Sequence, residues 1–141
     1  MPLQSRQASK LAHRLRALLA ARWFQRLIPA LLLSGIAILS LVPGDLRPHA
    51  PILPDAYEHL LAYALTAFAI AALPSHTLRS RWLFAGLAAY AGLLEICQFV
   101  VPNRTTSLED FLASSAGAAL GILLAGVARY CVLATLRLIS D

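Results

Sequence analysis

The chain has 141 residues, 59% of them apolar and only 13% charged, with a mean hydropathy of +0.68. That profile lies well above the range of soluble domains and specifies a membrane protein with room for about four short spans, leaving no length for a separate soluble catalytic domain. The net charge of +5 does not argue for nucleic acid, because six of the twelve basic residues precede the first apolar run, where such residues set a membrane protein's orientation.

Residues 1–26 carry Arg6, Lys10, Arg14, Arg16, Arg22 and Arg26 and no acid. Leu11, Leu15, Leu18 and Leu19 recur between them at helical spacing. The segment reads either as a basic amphipathic helix on an anionic membrane surface or as a solvated basic tail. Residues 27–42 are a short first span, which Trp23 and Phe24 extend by seating at the interface. The basic stretch is too long for a signal peptide, and no small-x-small cleavage site follows at 41–45, so an uncleaved helix is expected.

Four prolines and a glycine between 43 and 54 exclude helix there. A second helix follows over about 56–73, opened by Asp55 and Glu58 as a capping pair and stopped by Pro74. The third is predicted over about 82–101. The fourth runs over about 108–128, opened by Ser107 with Asp110 three residues on, and continues past Arg129 to end near Arg137. The expected fold is therefore all-α, a polytopic bundle of four transmembrane helices over 27–141 behind a basic juxtamembrane segment at 1–26.

Four spans joined by short loops put both termini on one side. The basic residues cluster before helix 1, at Arg79 and Arg81 between helices 2 and 3, and at Arg129 and Arg137 in or after helix 4. The positive-inside rule makes those regions cytoplasmic and turns the 43–54 and 102–107 loops outward.

The residues that an apolar bundle tolerates least then share the outer end. Glu95 and Gln98 interrupt the apolar run of helix 3, where an ionisable group needs a partner or a proton. Arg104, in the polar hairpin after it, is the expected partner of Glu95. Asp55, His59, Ala62 and Thr66 share one face of helix 2 with Tyr63 at its edge, and Asp110, Ser114, Gly117 and Gly121 line one face of helix 4. Ala113, Gly117, Gly121 and Ala125 form a small-residue ridge that lets backbones approach closely in lipid. Capping alone accounts for acids at helix starts, and Tyr63 and Gln98 serve equally as interhelical hydrogen-bond donors or as ligand contacts. Asp55, His59, Glu95 and Asp110 include a single histidine, so they do not make a zinc site, and no metal or cofactor is expected. Cys97 and Cys131 fall in opposite halves of the membrane, too far apart to pair.

The order Asp55, His59, Tyr63, then Glu95-x-x-Gln98, Pro102, Arg104, Asp110, Gly117 and Gly121 resembles the VanZ-like family of small bacterial membrane proteins, over about residues 54–124. Ser114 stands where that family usually has Asn, and Asn103 where Gly is frequent. The resemblance implies a multi-pass protein of the bacterial inner membrane whose namesake is associated with low-level teicoplanin resistance, and it implies no defined reaction. Three readings follow: an envelope-associated protein whose outward polar site binds a cell-wall or lipid-linked ligand or a glycopeptide antibiotic; a structural subunit that binds another membrane protein; and a membrane enzyme with His59 or Glu95 as base and Arg104 as anion contact. The expected partners are the bilayer and one of those ligands or proteins.

Overall fold

A computed structural model describes residues 22–46, 54–73 and 80–140. Among them are four α-helices, α1 (Arg22–Leu41), α2 (Asp55–Ala72), α3 (Ser80–Gln98) and α4 (Leu108–Ser140), with a short 3-10 turn at Gly44–Leu46. The helical expectation for residues 1–21 lies outside the described residues.

Three boundaries differ from the sequence reading, each for a local reason. α1 is already helical at Arg22, the first described residue, rather than from 27, because nothing between Arg22 and Arg26 breaks the helix; Pro29 lies inside it. The cap of α2 is Pro54, with φ −58° and ψ 147° and no side-chain cap bond. The cap position thus falls one residue before the expected Asp55. Asp55 instead occupies the first helical position, where a carboxylate meets the positive end of the helix dipole. α3 stops at Gln98, three residues early, as Phe99, Val100 and Val101 turn their N–H groups to the carbonyls three residues back at 3.2, 3.2 and 3.0 Å.

α2 and α4 form the closest pair. A Cβ on Gly117 would strike the Leu60 carbonyl oxygen, and one on Gly121 would strike the Ala64 carbonyl oxygen and approach the Phe68 nitrogen to 2.8 Å. The small-residue ridge is thus a backbone-to-backbone contact, with Ala118 and Ala125 fully buried beside it. α3 lays Leu83, Leu87, Ala91, Leu94 and Gln98 inward, a spacing of three to four residues that keeps one face on the bundle.

The exterior is unusually apolar. The largest fully buried side chains are Tyr63, Gln98 and Thr66, set in an otherwise apolar core, whereas Leu65, Ile96 and Phe99 are 68%, 71% and 81% exposed. An apolar exterior with polar groups kept inside fits lipid as the surrounding solvent. Among the described residues, two helices are long and apolar enough to cross a membrane: Trp23–Leu41, with mean hydropathy 1.7, and Leu108–Leu138, with 1.9. Trp23 and Trp82 open α1 and α3 at the same end of the bundle, and both are exposed, Trp82 under the Arg81 guanidinium at 5.6 Å. Such aromatic and basic anchors suit the headgroup level.

Candidate functional site

At the opposite end α1 finishes, α2 starts and α3 turns into α4, and the polar residues collect there. The turn depends on Asn103, whose φ of 56° is left-handed. Asn tolerates that region better than any other residue with a side chain, which explains how it stands where Gly is frequent. Asn103→Gly is therefore expected to be nearly neutral in thermal unfolding in detergent, and Asn103→Val to lose about 1–2 kcal/mol. Gly44 donates its N–H to the Pro102 carbonyl at 3.3 Å, and the Asn103 carbonyl closes off the space where a Cβ on Gly44 would stand.

Ser107 then does two things. Its hydroxyl accepts the Asp110 N–H at 3.2 Å, as the cap predicted, and its own N–H donates to the Glu95 carboxylate at 3.0 Å. The second contact corrects the sequence reading, which gave Glu95 to Arg104. The chain reverses so tightly after α3 that a main-chain amide reaches the acid.

Arg104 instead grips the end of α1. Its Nε donates to the Val42 carbonyl at 3.2 Å and its Nη2 to that of Leu39 at 2.8 Å. Gln98 donates to the Ser40 carbonyl at 3.2 Å, which makes it an interhelical donor. These bonds serve helix-terminal carbonyls that have no partner within the helix, and Arg104 adds a positive charge at the negative end of the dipole. Tyr90 joins the set from about two turns deeper, donating its hydroxyl to the Leu33 carbonyl at 2.8 Å. Sequence reasoning passed over Tyr90, although it adjoins the buried face of α3 and a tyrosine among apolar residues calls for a partner.

Beside this clamp lies a compact ionisable cluster. His59 Nε2 is 4.0 Å from Asp110 Oδ2, with side chains 9% and 16% exposed. One donor atom each from His59, Glu95 and Asp110 lies within 4.8 Å of the other two. Two clefts flank it. One, of about 100 Å³ between α1 and α2, is lined by Ile36, Leu39, Ser40, Glu58, His59, Ala62 and Tyr63. The other, of about 140 Å³ and chiefly polar, is lined by Gly44, Asp55, Gln98, Asn103, Arg104, Thr105 and Asp110. Tyr63 is 1% exposed and its hydroxyl has no hydrogen-bond partner among the described residues. Ser114 is buried on α4, one turn beyond Asp110. Of the expected site residues, Asp55, Gln98, Arg104 and Asp110 thus meet in the polar cleft, His59 and Tyr63 in the other, and Glu95 joins His59 and Asp110 between them. Cys97 is half-buried, Cys131 exposed, and both are free.

Comparison with known proteins adds a family. The sequence model of the VanZ/LLP1 family matches residues 38–129. No curated protein and no solved structure matches the chain at a significant level.

Proposed function

The chain belongs to the VanZ/LLP1 family, and from that premise we propose a protein of the bacterial inner membrane that spans it four times, with both termini cytoplasmic and the polar end of the bundle facing outward. Residues 27–141 form the membrane domain and residues 1–26 its basic juxtamembrane segment. The polar end binds a cell-wall or lipid-linked ligand, or a glycopeptide antibiotic of the teicoplanin type, without turning it over.

The polar cleft carries this reading. In it Arg104 stands beside Asp55, Asp110 and the amide of Gln98, so it presents both charge signs to a zwitterionic or peptide-bearing headgroup. The apolar exterior of α2 and α3 supports four spans, since their 18 and 19 residues rise about 27–29 Å, close to the hydrocarbon thickness. The distribution of Lys and Arg along the chain supports the orientation.

A structural role is the second reading, favoured by the main-chain bonds of Arg104 and Gln98 to α1. The two separate through Asp55, which lines the polar cleft from the start of α2. In the ligand reading, Asp55→Asn folds to normal yield in detergent while a teicoplanin-susceptible host expressing it loses any tolerance that the wild type confers. Full tolerance with Asp55→Asn sinks the ligand reading. Orientation is read independently: a thiol placed at Thr105 reacts with an impermeant maleimide in intact cells, and labelling only after lysis overturns the outward placement.

A further inference from the structure

We propose that His59, Glu95 and Asp110 bind a divalent transition cation of the zinc–manganese class. Two observations point there independently. The first is the cluster itself, an imidazole nitrogen and two carboxylate oxygens within 4.8 Å of one another, brought together from α2, α3 and α4. A mixed nitrogen and oxygen set of this kind suits Zn²⁺ or Mn²⁺ better than Mg²⁺ or Ca²⁺, which favour oxygen alone. A bound ion of this size holds its ligands about 3.3 Å apart, so donors now up to 4.8 Å apart close in by at most roughly 1.5 Å.

The second is Tyr63. Its hydroxyl is buried without a partner among the described residues, and it lies one turn along α2 from His59 on the same cleft. A buried hydroxyl left unbonded is costly. With three protein ligands an ion retains an open position for water, and such a water is the kind of partner that the buried Tyr63 hydroxyl lacks.

The outer shell is present as well. The Ser107 N–H at 3.0 Å orients the Glu95 carboxylate, and the Ser107 hydroxyl pins the N-terminus of α4 on which Asp110 sits. Charge points the same way. Two carboxyl groups brought together in a low-dielectric bundle are costly to ionise side by side, and a divalent cation compensates both. The sequence alone argued against zinc because it offers one histidine near these acids. The fold alters that argument by bringing a carboxylate from each of two further helices to that histidine.

The test uses the full chain, purified without a histidine tag, stripped with chelator and titrated with Zn²⁺ and Mn²⁺ by calorimetry, with Mg²⁺ for comparison. One Zn²⁺ or Mn²⁺ per chain is expected, with a rise in Tm. His59→Gln, Glu95→Gln and Asp110→Asn each lower affinity by about 100-fold or more, at least the upper end of what losing an outer-shell partner does. Glu109→Gln, at the exposed neighbouring acid, leaves affinity unchanged. Should the three variants fail to fold, pulsed electron paramagnetic resonance on the Mn²⁺-loaded wild type decides, with coupling to an imidazole nitrogen expected. The absence of stoichiometric binding, an affinity insensitive to the three substitutions, or no nitrogen coupling overturns the proposal. None of these results depends on which way the site faces or what larger ligand it meets, so the cation site and the ligand reading fail separately.

Discussion

Gly121→Ala is expected to destabilise the protein by about 3 kcal/mol, the upper end of the usual cost of overpacking. The added methyl meets main chain on two residues of α2, the Ala64 carbonyl and the Phe68 nitrogen, with the Ala67 methyl at 2.9 Å. Main chain within a helix cannot rotate aside as a side chain does, so relief requires α2 and α4 to separate along the whole ridge. Gly117→Ala, facing the Leu60 carbonyl and the Ala64 nitrogen at 3.1 Å, behaves similarly. Gly126 on the same helix supplies the contrast, because a Cβ there meets nothing within 4 Å. Gly126→Ala is neutral, or stabilising by up to about 1 kcal/mol through helix propensity. Thermal unfolding in one detergent measures all three. Equal effects at Gly121 and Gly126 would show that the ridge is not the contact described.

Arg104→Ala comes second, with an expected loss of about 2–4 kcal/mol. It removes two charge-assisted hydrogen bonds, each of which contributes roughly 1.5–3 kcal/mol when well shielded and less where solvent reaches it. The Leu39 bond is exposed and the Val42 bond half-buried, which places the total below the sum of two shielded bonds. Arg104→Lys recovers less than half of the loss, because a single ammonium on a flexible stem does not reproduce a planar fork reaching two carbonyls. Amide exchange localises the effect. Exchange over residues 39–46 rises sharply in Arg104→Ala, while the α2 and α4 amides around Gly117 and Gly121 keep their protection. Uniform loss across all four helices would mean that Arg104 supports the whole bundle rather than the end of α1.

Both variants bear on what the sequence could reveal. Gly117 and Gly121 were legible because a small residue at every fourth place has few explanations in an apolar helix. Glu95 was legible through the cost of its charge, and Ser107 through its spacing to Asp110. The partners were not. Arg104 and Gln98 bind the carbonyls of Leu39, Ser40 and Val42, and every residue carries a carbonyl, so nothing in the side chains marks which ones will be used. Glu95 pairs with an amide for the same reason. Pairing by opposite charge, the natural inference from sequence, led to Arg104 because main-chain donors have no letter of their own. The three-way meeting of His59, Glu95 and Asp110 was equally hidden, since it depends on how α2, α3 and α4 are rotated. The early stop of α3 at Gln98 lengthened the connection to α4 and changed which groups face one another.

The grip on α1 also bears on how the sequence can vary. A hydrogen bond to a main-chain carbonyl is indifferent to the side chain carried by the same residue. The acceptors at Leu33, Leu39, Ser40 and Val42 thus survive substitution at their own positions, provided the helix persists and lipid accepts the new side chain. The burden of specificity falls on the donors, Tyr90, Gln98 and Arg104. The family match begins at residue 38 and so takes in all three donors but only the last turn of α1. Outside the side chains it buries at Gln25, Ile36 and Ser40, that first helix can change in sequence while remaining fastened in place.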